Sequence, residues 1–209
     1  MILDEYLDQT FIHEDRLLIA IKEEIAEKGM PPISVPPITG ATLFWLIKTA
    51  SRRRVLEIGA LGGYSGVWMA RALPDDGQLT SLELRADYRD LAQANLARAG
   101  FKNRVTYLVG KAAESLRLLW ERGAQFDFFF IDADKESYPL YLDYALKLAE
   151  PGAIIAADNT LQGGKVLNMS NEPAVQAIQA FNQQVANHPQ LTSLLLPIGD
   201  GLTVAQYCP

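Results

Sequence analysis

The chain has 209 residues, 49% hydrophobic and 21% charged, with a formal net charge of −6. That composition excludes a disordered chain and fits one globular domain of ordinary size. The acidic balance disfavours a nucleic-acid partner, which needs a basic stripe, and no apolar run approaches the roughly 20 residues of a membrane-spanning helix.

In chain order, Leu3, Leu7, Phe11, Leu17, Leu18, Ile21 and Ile25 fall into apolar stripes on two short helices, with His13 and Asp15 near the break. The opening segment Met1-Ile2-Leu3-Asp4-Glu5 lacks the basic flank and apolar core of a signal peptide. Pro31, Pro32, Pro36 and Pro37 forbid a helix and impose an extended loop. A helix follows from about Thr39 to Ala50, with Thr39 as candidate cap. Arg52-Arg53-Arg54 is the densest basic cluster and reads as a helix end that complements the helix dipole. From there strand and helix alternate. The strands are Val55–Ile58, Leu79–Glu83, Val105–Val109, Phe126–Ile131 and Ala153–Ala157; the helices are Ser65–Leu73, Ala86–Ala99, Ala112–Arg122, Tyr138–Leu148 and Ala174–Asn187. Phe126–Ile131 is a continuous apolar run of the kind buried on both faces. Leu194–Ile198 and Leu202–Ala205 flank Gly199-Asp200-Gly201, a hairpin turn signal. The single cysteine, Cys208, has no partner for an internal disulfide, so the cytoplasm is the expected compartment.

This alternation predicts an α/β fold: a doubly wound, mostly parallel sheet of seven strands, with right-handed crossovers and an antiparallel edge hairpin. Residues 1–209 read as one domain, with 1–50 as a helical cap over the site. Ligands in such sheets bind just beyond the carboxyl ends of the strands, so the residues after each strand are the ones to inspect.

After the first strand stands Glu57-Ile58-Gly59-Ala60-Leu61-Gly62-Gly63-Tyr64-Ser65. A dinucleotide fingerprint starting at Gly59 needs glycine where Leu61 and Tyr64 stand. The carboxylate of Glu57 suits a cationic, amino-acid-bearing cofactor better than a pyrophosphate. Glu83 ends the second strand, where such folds place an acid for ribose hydroxyls, and Gly110 after the third strand gives an adenine room. Taken singly, the loop can be a tight turn and Glu83 a solvated strand end; together they point to a nucleoside-type cofactor.

The fourth strand ends in Asp132-Ala133-Asp134-Lys135 and the fifth in Asp158-Asn159-Thr160. Neighbouring strands lie about 4.8 Å apart, which lets Asp132, Asp158 and Asn159 converge. Two carboxylates and an amide oxygen are a hard donor set that suits Mg²⁺. The alternatives are a helix cap at Asp132 and a local turn at Asp158-Asn159. A lysine beside a cation can serve as a general base; the plainer role for Lys135 is an ion pair with Asp134 or Glu136. Tyr64, Trp68, Tyr138, Tyr141 and Trp45 are either core or stacking partners for an aromatic ligand.

Taken together these residues resemble the metal-dependent O-methyltransferases, the family of the catechol and caffeoyl-coenzyme A enzymes. The likeness rests on Gly63-Tyr64-Ser65, Glu83, Asp132-Ala133-Asp134-Lys135, Asp158-Asn159-Thr160-Leu161 and Gly199-Asp200-Gly201-Leu202-Thr203, and runs from about Pro31 to the end. It implies a Rossmann-like class I methyltransferase fold and methyl transfer from S-adenosylmethionine to a catechol-like acceptor, with S-adenosylhomocysteine as product. It implies cofactor contacts from Val35, Glu57, Gly59, Ser65, Glu83, Asp132 and the segment from Gly110 to Ala112. Mg²⁺, or another divalent cation such as Ca²⁺ or Mn²⁺, would be held by Asp132, Asp158 and Asn159. Lys135 and Asp132 would be catalytic, Lys135 as the base. A homodimer is implied, with no nucleic-acid or membrane partner. The lid segments, roughly 1–30 and 161–175, match no one subfamily and leave the acceptor open. Competing readings are a nicotinamide-dependent reductase, a non-catalytic S-adenosylmethionine-binding protein and a metal-independent methyltransferase.

Overall fold

The computed structural model describes residues 3–209, with side chains from Tyr6 onward, so the place of Leu3 in the first apolar stripe lies outside the described side chains. Three helices come first: α1 (Leu3–Thr10), α2 (Arg16–Glu27) and α3 (Pro37–Thr49). Then β1 (Arg54–Ile58), α4 (Tyr64–Ala72), β2 (Gln78–Glu83), α5 (Ala86–Arg98), β3 (Val105–Val109), α6 (Ala112–Glu121) and β4 (Phe126–Ile131) alternate. A short 3-10 turn (Lys135–Ser137) leads into α7 (Tyr138–Leu148), followed by β5 (Ala149–Ala157), a second 3-10 segment (Gln162–Leu167), α8 (Pro173–Asn187), β6 (Leu191–Leu196) and β7 (Leu202–Tyr207). The strands form one sheet in the order β3-β2-β1-β4-β5-β7-β6. The first five are mutually parallel; β7 runs antiparallel between β5 and β6, so the hairpin sits at one edge as expected.

The period-2 alternation of β4 divides the core. Phe128 and Phe130 face the layer of α2, α3, α4 and α5, while Phe129 and Ile131 face α6, α7 and α8. All four are fully buried, as an apolar run in a central strand requires. Asp15 caps α2, accepting from the Leu18 N–H at 3.1 Å, and Leu18, Ile21 and Ile25 bury its apolar face. Arg98 pairs with Glu24 and Arg71 with Asp15, tying α2 to α5 and α4. Among the described residues no helix is long and apolar enough to cross a membrane.

Three local expectations change. Helix α3 starts at Pro37, where a missing N–H costs nothing; Thr39 is not its cap but lies buried inside it, its Oγ1 without a hydrogen-bond partner among the described residues. Strand β5 begins at Ala149 and runs through Pro151-Gly152, a pair that reads as a stop. The ladder slips there, Phe126 pairing with Ala149 and Phe128 with Ile154, and the bulge accommodates a proline that has no N–H to donate. The basic cluster is dispersed among separate partners: Arg52 donates to the Gly152 carbonyl at 2.9 Å, Arg53 pairs with Asp76 and Arg54 with Glu150.

Helix α8 packs on α7 through Phe181, fully buried, whose ring meets Tyr138 edge-on at 5.4 Å. Phe181→Ala is expected to lower the unfolding free energy by about 3–5 kcal/mol, measured by urea denaturation. A loss below about 1 kcal/mol would show that this contact is not part of the cooperative core.

Candidate active site

Parallel pairing brings the strand ends into a row. Ile58 is in register with Leu82 and Ile131, and Ile131 with Ala157. The ladder runs one residue further: Gly59 N–H donates to Leu82 O, Asp132 N–H to Ile58 O, Asp158 N–H to Ile131 O and Gly110 N–H to Glu83 O. Above this row, where the strand order reverses between β1 and β4, opens a cavity of about 880 Å³. Its wall includes Val35, Gly59, Ser65, Glu83, Gly110, Ala112, Asp132, Lys135 and Asn159. Of residues 1–50, the wall takes Pro31, Ile33, Ser34 and Val35; the helices α2 and α3 pack in the core layer behind it.

Gly59 has to be glycine. Its φ is +102°, and a Cβ there would stand 2.1 Å from the Asp132 carbonyl oxygen. That close passage joins the glycine loop to the acidic cluster. Glu83 holds the loop from its other side: Oε2 accepts from Ala60 N–H at 3.2 Å and Leu61 N–H at 2.9 Å, and Oε1 accepts from Arg85 N–H at 3.0 Å. A second brace, invisible to spacing, is Asn95 on α5, whose amide donates to the Gly62 carbonyl at 2.8 Å.

Glu57 stands differently from its expected role. It is 1% exposed and off the cavity wall, beneath the loop. It accepts from Ser65 Oγ and from Ser81 Oγ, each at 2.5 Å. Burial pushes its carboxyl up to about 7, against the downward pull of the two hydroxyls and with help from the nearby Glu83 and Asp132 charges. Ser81 was missed in the sequence. Its signal was a polar residue mid-strand, opposite Glu57 in the ladder.

The acidic cluster converges. Asp132 and Asn159 line the cavity, and Asp158 lies immediately below, 1% exposed. Burial, then the facing Asp132 carboxylate, push Asp158 up to about 7, and its Oδ1 has no hydrogen-bond partner among the described residues. Asn159 adopts a left-handed φ of 57°, a conformation asparagine tolerates. The turn Gly199-Asp200-Gly201 braces this strand end: Thr160 N–H and Leu161 N–H donate to the Gly201 and Asp200 carbonyls, and the Asp200 carboxylate accepts from Gly163 N–H at 2.6 Å. Among the described residues no three His, Cys, Asp or Glu side chains group as a metal site. The candidate set is two carboxylates and one amide, and an orphaned buried carboxylate oxygen beside them fits a hard cation.

Lys135 pairs with neither Asp134 nor Glu136. Its Nζ donates to Asp132 Oδ1 at 2.8 Å and to the Tyr138 hydroxyl at 2.9 Å. Asp134 is held by Tyr141, whose hydroxyl donates at 2.5 Å, and by Ser137. Of the five aromatics considered as stacking partners, Tyr64 and Tyr141 reach the wall; Tyr138 is fully buried, Trp68 is core and Trp45 is exposed on α3.

Residues 8–208 match the family model described as O-methyltransferase. The chain is 42% identical to a catechol O-methyltransferase of Niastella koreensis over 97% of its length and 95% of that protein. It is 38% identical to a catechol O-methyltransferase of Mycobacterium tuberculosis, over 90% and 85%. The crystal structure of the O-methyltransferase TomG from Streptomyces achromogenes, in complex with SAM, superimposes with a TM-score of 0.92 at 34% identity, covering 99% of this chain and 96% of that one.

The raised carboxyl of Glu57 has a consequence for stability. A carboxyl that moves from 4.5 to about 7 on folding favours the folded state while protonated, and that contribution is lost as pH rises through this window. Relative to Glu57→Gln, which cannot ionise, the native chain should lose on the order of 3 kcal/mol between pH ~4.5 and ~8. Denaturant titrations of both proteins across that range measure it; parallel pH profiles would refute the buried-carboxyl account.

Proposed function

The chain belongs to the O-methyltransferase family, and we propose that it transfers a methyl group from S-adenosylmethionine to one hydroxyl of a catechol-like small molecule, assisted by a divalent cation. One observation carries this reading. A single cavity holds a nucleoside-type loop with its strand-end acid Glu83 on one side, and Asp132, Lys135 and Asn159 on the other. The relatives named catechol O-methyltransferase support a vicinal diol as acceptor.

In this reading Glu83 accepts from the ribose hydroxyls with the lone pairs that its three backbone bonds leave free. Gly110 leaves the adenine room, and Val35, Gly59, Ser65 and Ala112 line the rest of the cofactor's bed. Glu57 acts from beneath, fixing Ser65 and Ser81. S-adenosylmethionine, when bound, supplies the methyl group and is left as S-adenosylhomocysteine. A cation held by Asp132, Asp158 and Asn159, with Mg²⁺ first in preference and Ca²⁺ or Mn²⁺ as alternatives, would supply Lewis-acid stabilisation of the ionised hydroxyl. Lys135 takes the hydroxyl proton on Nζ. The protein's largest contribution is alignment of the two reactants, an effect worth roughly 7–11 kcal/mol at best. Assembly as a homodimer and residence in the cytoplasm, where Cys208 stays reduced, belong to the same proposal; sedimentation of the purified chain tests the first.

A metal-independent transfer is the second reading, favoured by the Asp132–Lys135 pair, which already neutralises one of the two carboxylates. Turnover of catechol and of the matching monophenol, with Mg²⁺ and with excess chelator, separates the two. The expected result is chelator-sensitive methylation of the diol and none of the monophenol. Chelator-insensitive turnover would leave the second reading standing. Asp158→Ala should lose at least about a hundredfold in metal-stimulated turnover while keeping cofactor affinity. Glu83→Ala should weaken cofactor binding by about tenfold or more, read by calorimetry; unaltered affinity would refute the ribose role.

A further inference from the structure

The hydrogen bonds around Lys135 have a fixed polarity, and Tyr138 sets it. Tyr138 opens α7, is fully buried, and is clamped edge-on against Phe181. Its hydroxyl lies 2.9 Å from the Asp158 carbonyl oxygen and 3.2 Å from that of Ile131. Both carbonyls can only accept, so the phenol's one proton is committed to them. Its oxygen is then left to accept, and Lys135 Nζ, at 2.9 Å, donates to it. A second N–H of Nζ is committed to Asp132 Oδ1 at 2.8 Å. Cε, the Tyr138 oxygen and Asp132 Oδ1 take three of the four directions around the tetrahedral nitrogen. The fourth is the one left for a ligand, and Lys135 belongs to the cavity wall.

We propose that Tyr138 is a positioning residue for methyl transfer: by accepting from Lys135 while donating to the ends of β4 and β5, it turns the lone pair of the base toward the acceptor's hydroxyl. The inference rests on Lys135 being the base. The proton balance is simple: the acceptor's O–H bond breaks, an N–H bond forms on Nζ, and no proton passes through Tyr138, whose own is committed to a carbonyl. Removing the hydroxyl while keeping the ring frees one N–H of Lys135 to donate elsewhere and lets the amine rotate.

A purely structural role for Tyr138, tying two strand ends together, would slow every acceptor alike. A role through the base depends on whether the acceptor still carries its proton. Tyr138→Phe keeps the ring against Phe181 and is the variant of choice; its fold and cofactor affinity are checked by circular dichroism and calorimetry. It is compared with the native enzyme on catechol, protonated at neutral pH, and on a nitrocatechol acidic enough to be ionised there. The expected result is a fall in kcat on catechol of about tenfold or more, an unchanged KM, and little change on the nitrocatechol. In a Lys135→Met background the same substitution should cost catechol turnover nothing further. The ε-methylene NMR signals of Lys135, distinct while the side chain is fixed, should merge in Tyr138→Phe. Equal losses on both acceptors, or additive losses in the double variant, would overturn the positioning role and leave the site's reading intact. A native enzyme silent toward both acceptors would instead overturn the reading on which it rests.

Discussion

Parallel pairing of β1 with β4 aligns Ile58 with Ile131, so the two chains leave the sheet at the same height. Gly59 then passes so close to the Asp132 carbonyl that no side chain fits between them. The glycine loop and the acidic cluster meet on the cavity wall at that contact. On one side the loop runs on through Ser65 into α4; on the other the chain turns through Ala133 and Asp134 into Lys135. A methyl donor and a methyl acceptor have to meet within van der Waals distance, and a sheet that reverses its strand order between β1 and β4 brings two loops of different origin together there.

That arrangement forces acidic side chains into places water does not reach, and the chain handles the three most buried differently. Glu83 is met by three backbone N–H groups, so its charge is well supported. Glu57 receives two hydroxyls, which support it less and leave its carboxyl raised. Asp158 has one oxygen with no hydrogen-bond partner among the described residues. Stability is surrendered in the same order, because an unpaired buried carboxylate costs most. Glu57 is used up beneath the loop, Glu83 keeps lone pairs free on the cavity wall, and Asp158 is left with an oxygen that no group among the described residues meets. A site under selection for stability alone would not leave it so.

The sequence carried the sheet because apolar periodicity and glycine or proline stops are local signals, and β4 shows the reading at its best: five aromatic or aliphatic residues around Asp127 allow no exposed face. It failed where tertiary contact overrides local preference. Pro151-Gly152 ends helices in general, but here a bulge against β4 admits the pair into a strand. Thr39 has the chemistry of a cap but sits inside the turn that Pro37 starts. In the site, spacing located the strand ends but not the facing of each side chain. Glu57 and Glu83 both read as cofactor contacts; Glu57 lies one residue before the end of its strand and faces inward beneath the loop, whereas Glu83 is the last residue of its own and reaches the wall. Tyr138 reads equally as core or as a stacking partner, because its inward direction depends on α8, a helix some forty residues later in the chain.

In the proposed reading the chemistry and the choice of acceptor fall to different parts of the molecule. Asp132 and Asp158 stand just beyond strand ends, Lys135 opens the 3-10 turn that leads into α7, and Tyr138 stands on a packed helix; the backbone ladder and the Phe181 contact leave little freedom there. The rim is built otherwise. Ile33 and Leu84 border the cavity yet are 67% and 65% exposed. Substitutions at such positions remove little buried area, so the fold tolerates them, and Ile33 and Leu84 offer apolar surface to whatever the cavity holds. Acceptor preference can therefore change at the rim without disturbing the reaction centre, which explains why the residues of the centre are legible from one sequence and the acceptor is not.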